Sequence, residues 1–183
     1  HAVRTSVGSG SICTTRIQTG HGVPTLNAVI DCYKVKQDII NDGGFPAYII
    51  ADGGIKNSGD IVKSLAAGAD LVMLGSMLSG TRESPGKIML NNEGQKIKKY
   101  NGMASKAAQK NWKGSYSSIE GVSSTVKYKG TVSKVVNEIM SNVRSGMSYS
   151  GASNLKELRE KAVMMIQTNS SNIEGNPHIF NRK

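Results

Sequence analysis

Cys13 stands in the stretch SVGSGSICTTR, residues 6–16, behind two glycines and three small hydroxyl residues and just ahead of Thr-Thr-Arg. Three physical choices suit such a loop: a tight structural turn, a nest for an anion, or a platform that holds out a reactive thiol. A buried structural thiol is the commoner fate of cysteine. The company of Cys13 argues otherwise. Arg16 and the loop N–H groups supply positive potential, which favours the thiolate and so a nucleophile. A nucleophile also needs a partner that handles its proton. Thr15 is near in sequence but is a poor base alone. Glu120, in SSIEGVSS, is a lone carboxylate in a Gly-, Ser- and Lys-rich stretch, and taken alone it reads as a solvated surface charge.

Two further loops carry glycine directly after an apolar run: Asp52-Gly53-Gly54 after AYIIA, and Gly75-Ser76 after DLVML. Glycine lets the backbone approach an anion closely, and successive N–H groups then cradle phosphate oxygens. Each loop alone is explained by a tight turn; three at successive strand ends are a stronger sign of a ligand. Asp52 could cap the turn it opens or accept hydrogen bonds from a ribose diol. Its place directly after a buried strand favours the second role.

The elements that must position these loops follow from the pattern. Residues 2–7 read as a strand, Pro24 opens a helix over 25–41, and 47–51 form a buried strand. DIVKSLAAG is an amphipathic helix closed by Gly68, and 70–74 form a third strand. Strand–helix alternation of this kind means right-handed βαβ units and a parallel sheet, with ligands at the carboxyl ends of the strands. The rhythm breaks after residue 80. KIMLNNEGQKIKKY predicts a hairpin turning at Asn91-Asn92-Glu93-Gly94. Residues 101–125 predict a long mobile insertion, residues 131–147 a helix capped by Thr131, and NLKELREKA a short helix. VMMIQT, 163–168, reads as a short strand, and the tail beyond it as extended.

At 183 residues and 38% hydrophobic content the chain suits one domain with a real core. No window approaches the roughly 18 apolar residues of a membrane span, and the start lacks the pattern of a signal peptide. It also lacks an initiating Met and opens straight into a strand, as expected of a chain cut from something longer. Cys13 and Cys32 make no disulfide framework; Cys32 falls on the helical pattern as a small core residue, and free thiols suit a reducing, cytoplasmic setting. The net charge of +10 is spread over scattered lysines with few aromatics between them. That ranks nucleic acid last among partners and favours phosphorylated small molecules.

Four segments carry a resemblance: GSICTTR, ADGGIKNSGDIVKSLAAGADLVMLGSMLSGTRESPG, YNGM and GMSYSGASNLKELRE. Together they resemble the inosine-monophosphate dehydrogenase and guanosine-monophosphate reductase family, over essentially the whole chain. The resemblance implies an α/β fold, a (β/α)8 TIM barrel, with residues 1–183 as its C-terminal half: strands six to eight, a hairpin and mobile flap at about 83–128, and the last helices. The other half would come from another chain or lie upstream, since half a barrel leaves sheet edges open. It also implies a homotetramer. By the same resemblance Cys13 attacks C2 of the purine, and Thr15 with Glu120 handles protons, Glu120 reaching the N1 side. Asp52 binds the ribose hydroxyls. Gly53, Gly54, Gly75 and Ser76 cradle the 5′-phosphate, in line with phosphate binding after the last strands of such barrels. Tyr100, Gly102 and Met103 form the flap base, and Ser11 and Gly121 complete the purine-nucleotide site. Main-chain carbonyls of Gly8, Gly10 and Cys13 are a candidate potassium site. The cofactor is NADPH for a reductase and NAD for a dehydrogenase.

Both activities share a covalent adduct at Cys13. The dehydrogenase hydrolyses it, using an Arg-Tyr pair in a long flap; the reductase needs no hydrolysis. Between Gly102 and Gly130 there is no Arg, and KNWKGSYSS occupies the place of the expected Asp-Arg-Tyr. The HIFN ending is also reductase-like, so GMP reductase is favoured. LGSMLSGTRESPG and NIEGNPH fit dehydrogenases at least as well, and Lys110 or Lys113 could stand in for the missing Arg only with a strongly lowered pKa. A non-catalytic purine-nucleotide-binding fragment is the third reading, and the intact Cys13, Thr15 and Glu120 set argues against it.

Overall fold

The computed structural model describes residues 1–177; the HIFN ending lies outside them. Three parallel strands form one sheet in the order β1 (Ala2–Thr5), β2 (Tyr48–Asp52), β3 (Leu71–Met73). Val3 pairs with Ile49 and Ala51 with Val72, so the three strand ends come level. Between β1 and β2 run α1 (Thr15–Thr19) and α2 (Thr25–Asn41), and between β2 and β3 runs α3 (Ser58–Ala66). This is the order expected of an arc of a (β/α)8 barrel. Its outer strands keep apolar side chains in the open: Val3 is 50% exposed and Leu71 54%.

Helix α2 buries Val29 against Ile49, Ala51 and Ala69, with Cys32 packed on that cluster, as its helical position predicted. Tyr33 of α2 lies so close to Gly68 that a Cβ there would stand 2.2 Å from the ring. With φ at +118°, the close of α3 therefore needs glycine twice over. Helix α3 is capped by Asn57, whose Oδ1 accepts from the Asp60 amide at 2.9 Å. Its Ile61 and Leu65 pack on Ile139 and Val143 of α5 (Val132–Tyr149) and on Leu158 of α6 (Leu155–Lys161). Thr131 caps α5 as expected, accepting from the Lys134 amide. Below this core, Asp70 takes Lys36 at 2.6 Å, Arg159 at 3.1 Å and the Ile49 amide at 2.8 Å, tying α2, α6 and β2 together.

A second sheet, antiparallel, carries the flap: β4 (Met89–Leu90), β5 (Lys96–Asn101) and β6 (Ser123–Lys127). The hairpin turn falls where Asn91-Asn92-Glu93-Gly94 placed it, and Asn91 Oδ1 accepts from the Glu93 and Gln95 amides. Lys98 is buried on β5, and its ammonium donates to the carbonyls of Thr81, Arg82 and Ser84.

Three expectations are corrected. Residues 101–125 are no featureless loop: they end β5, build α4 (Lys106–Lys113) and begin β6. The one buried residue of α4 is Gln109, so no apolar period reveals the helix. VMMIQT is not a strand, because nothing among the described residues pairs with it; Val163, Met165 and Ile166 lie exposed. The tail is not extended throughout. Thr168 caps α7 (Asn169–Glu174), accepting from the Ser171 amide. Among the described residues no helix is long and apolar enough to cross a membrane.

Candidate functional site

A cavity of about 440 Å3 opens at the carboxyl ends of β1, β2 and β3. Its size lies in the range that holds small ligands, roughly 300–1,000 Å3. The Cys loop forms one wall through Gly10, Ser11 and Cys13, and the turn after β2 a second through Asp52, Gly53 and Gly54. Gly75 and Ser76 after β3 form the third, and Tyr100, Gly102, Met103, Glu120 and Gly121 of the flap close it over. Of the catalytic, nucleotide-binding and potassium-site residues expected from the sequence, all but Gly8 and Thr15 line this one space.

The loops fold this way for local reasons. Gly53 has φ +96°, which turns the chain sharply out of β2. It also sits against the Cys loop: a Cβ there would stand 3.0 Å from the Ser9 carbonyl carbon and 3.1 Å from the Gly10 nitrogen. The Cys13 amide then donates to Gly10 O at 3.1 Å, and α1 begins two residues on. The flap docks through its backbone. Thr14 N donates to Glu120 O at 2.8 Å, Val122 N to Ile12 O at 3.0 Å, and Gly102 N to Val122 O at 3.0 Å. At the third wall, a Cβ on Gly75 would stand 3.1 Å from the Tyr100 hydroxyl, so that phenol closes on the glycine.

This docking sets a continuous line of donors. The Cys13 thiol donates to Thr15 Oγ1 at 3.2 Å, and the Thr15 hydroxyl donates to Glu120 Oε2 at 2.8 Å. Ser118 donates to Glu120 Oε1 at 2.9 Å. The two hydroxyls, Thr15 first and Ser118 second, hold the Glu120 carboxyl below the usual glutamate range. These bonds connect the Glu120 carboxylate, through the Thr15 hydroxyl, to the thiol's side of the cleft, and Thr15 stands behind Cys13 without lining the cavity.

Some side chains stand differently from the sequence reading. Arg16 does not face the thiol. Its guanidinium donates to Val7 O, Ser9 Oγ and Val23 O, and so staples the loop. Asp52 does not cap its turn; Arg4 donates to its Oδ2 from Nε at 3.0 Å and from a terminal nitrogen at 2.5 Å. Gly8 lies in a neighbouring cleft beside Arg16. The Arg16 guanidinium there is held by Val7 O, Ser9 Oγ and Val23 O and takes none of the three carbonyls expected to face a potassium ion. Lys110 and Lys113 do not line the cavity; Lys113 lies over the Trp112 ring, 4.9 Å from its centre.

Sequence reasoning missed two basic residues on the cavity wall, Arg4 and Lys56. Their signal was available: a cation on β1 shortly before the Cys loop and another directly after Asp52-Gly53-Gly54-Ile55 suit an anionic ligand. It also missed Ser118 and Gln109, which have no recognisable pattern. A wider groove of about 910 Å3 between α3 and α5 contains neither Cys13 nor Glu120, and is not this site.

Comparison with known proteins agrees with the geometry. The family model for the IMP dehydrogenase / GMP reductase domain matches residues 1–178. The inosine-5′-monophosphate dehydrogenase of Nitrosopumilus maritimus is 46% identical over 97% of this chain, and that of Methanocaldococcus jannaschii 44% over 96%. The chain spans 38% of the length of each. The crystal structure of a GMP reductase from Trypanosoma brucei, in complex with guanosine 5′-monophosphate, superposes with a TM-score of 0.87. It is 39% identical, over 97% of this chain and 36% of that one. The fold is thus part of a (β/α)8 barrel with its flap, and the relatives are oxidoreductases of purine nucleotides. The matched range takes in the Cys loop, the glycine-bearing strand ends and the docked flap, and the chain belongs to the IMP dehydrogenase / GMP reductase family.

Proposed function

We propose that this chain is the C-terminal part of the catalytic barrel of a GMP reductase, which converts GMP to IMP and ammonia. The observation that carries the reading is the line Cys13–Thr15–Glu120 at the wall of a nucleotide-sized cleft. Cys13 sulfur attacks C2 of the guanine ring and forms a C–S bond. The C2–N bond breaks, and ammonia departs after gaining the proton that the Thr15–Glu120 pair delivers. A reduced nicotinamide dinucleotide, NADPH in this reading, supplies hydride to C2. The C–S bond then breaks, its electron pair returns to Cys13, and IMP leaves. Overall GMP, NADPH and two protons give IMP, NADP and ammonium.

The other residues bind. Arg4 and Lys56 bring positive charge to the cavity that takes the phosphorylated ligand. The N–H groups around Gly53, Gly54, Gly75 and Ser76 cradle its 5′-phosphate, with the Tyr100 hydroxyl beside Gly75. Lys129 fixes this edge by donating to Ser76 O at 2.7 Å and Met77 O at 3.1 Å, and burial draws its pKa down. Asp52 offers a carboxylate to the ribose, with both Arg4 bonds confined to Oδ2. Ser11, Gly102, Met103 and Gly121 shape the purine end. The exposed apolar residues beside β1 and β3 are covered by the rest of the barrel, and copies of it assemble as a homotetramer.

The choice of reductase rests on the flap, which has no Arg between Gly102 and Gly130 to activate water for hydrolysis. The second reading, NAD-dependent oxidation of IMP, is favoured by the names of the relatives at 46% and 44% identity. The test gives the full-length protein GMP with NADPH, then IMP with NAD, and follows the nicotinamide absorbance. Turnover with the first pair alone supports the reductase; turnover with the second pair alone overturns it.

A further inference from the structure

The position two residues before Glu120 does more than connect the flap. We propose that Ser118 is a positioning residue for Glu120, held in place by the buried amide of Gln109. Helix α4 is capped by Ser105, whose Oγ accepts from the Ala108 amide, and closed by Gly114 at φ +72°. This fixes Gln109 inward, 7% exposed. Its Nε2 donates to Ala104 O at 3.1 Å and to Ser118 O at 3.3 Å, and its Oε1 accepts from the Ser117 amide at 3.0 Å. One side chain thus holds the base of the helix and two consecutive residues of the loop that leads to Glu120.

The loop so held has an uncommon shape. Ser118 has φ +36°, inside the left-handed region that a residue with a Cβ enters only at a cost. In that conformation its hydroxyl reaches Glu120 Oε1 at 2.9 Å. Oε2 is left for the Thr15 hydroxyl at 2.8 Å. A free carboxylate would rotate and could offer either oxygen, or turn to water. With Oε1 occupied from its own loop, the carboxylate presents Oε2 along the line to Cys13. Thr15 on α1 and Ser118 on the flap face Glu120, and the Cys13 thiol is the next titratable group. Among the described residues no charged side chain contributes to the acidity of Glu120.

This inference rests on the proposed role of the Thr15–Glu120 pair, and the experiment separates the two. Ser118→Ala, Ser118→Thr, Gln109→Leu and Glu120→Gln are made in the full-length protein, and kcat, KM and the pH profile of kcat are measured. The side chain of Ser118 is exposed, so its removal leaves the fold in place. Ser118→Ala is expected to lower kcat on the order of tenfold, part of what positioned acid–base groups give, with KM for the nucleotide unchanged. It should also move the acid limb of the profile to higher pH, because one of two bonds that favour the charged carboxylate is gone. Ser118→Thr keeps the hydroxyl on a backbone that β-branching strains, so it should recover part of the lost kcat and part of the shift, and Gln109→Leu should reproduce the loss of kcat. If Glu120→Gln is inactive while Ser118→Ala keeps both kcat and the acid limb, Ser118 has no positioning role. If Glu120→Gln is fully active, the acid–base reading fails and this one with it.

Discussion

Gly53→Ala tests how the turn after β2 governs a thiol on another loop. At φ +96° an L-residue is strained by roughly 1–2 kcal/mol. The new methyl would also stand 2.9 Å from Ser9 Cβ, 3.0 Å from Ser9 C and 3.1 Å from Gly10 N. Carbon contacts relax near 3.5–4.0 Å, so the two loops must part by about half an ångström or more. The moving atoms are backbone, so no side-chain rotation absorbs the shift. Gly10 O anchors the Cys13 amide, and the displacement passes to the sulfur. A misplacement of about 1 Å can cost ~100-fold in rate; half of that should cost on the order of tenfold in kcat. Steady-state kinetics of the full-length variant measure it, with thermal melting to confirm that it folds and thiol alkylation to report the sulfur. A well-folded variant with wild-type kcat would refute the coupling of the two loops.

Further outcomes are expected. Cys13→Ala should abolish turnover and leave nucleotide binding intact by calorimetry, since the phosphate and ribose contacts lie on other loops. Asp70→Asn should destabilise by about 3–5 kcal/mol in urea denaturation, because it leaves Lys36 and Arg159 facing each other with little solvent. Burial alone would raise the Asp70 carboxyl, but Lys36, the Ile49 amide and Arg159 outweigh it and hold it below its ordinary value. Its stabilisation is therefore complete above the unfolded value, about 3.9, and is lost as pH falls through the lower folded one. The denaturation midpoint of Asp70→Asn should accordingly fall less steeply in acid than that of the wild type. Lys98→Met should cost a few kcal/mol, at about 1–3 kcal/mol for each carbonyl left without a donor, read as a lower melting temperature.

The sequence disclosed whatever its own neighbours determine. Glycines at strand ends, Asn91 in its turn and the caps at Thr131 and Gly68 act within a few residues, and all stand where the pattern put them. The residues of the Cys loop and of the two glycine-bearing strand ends line one cavity because such loops must meet at one end of a parallel sheet. What escaped depends on distant partners. Glu120 alone looks like a surface charge, and gains meaning only when its loop pairs with Ile12 and Thr14. Helix α4 hides because its inward residue is an amide, although Ser105 and Gly114 at its ends were a readable sign. VMMIQT has the composition of a strand but no neighbour to bond among the described residues. Arg16 looked like an electrostatic aid to the thiol, and its reach to three loop acceptors could not be read from spacing.

The bond between Thr15 and Glu120 joins residues 105 positions apart. At a ribosomal pace of about 5–20 residues per second, the thiol is made roughly 5–20 seconds before the carboxylate at the far end of its hydrogen-bonded line. Throughout that interval the nascent chain carries a cysteine that no flap shields and no proton line serves. The line from Cys13 to Glu120 closes only when the later-made part of the pair has come back over the first, so its closure reports that the intervening chain has been completed and folded.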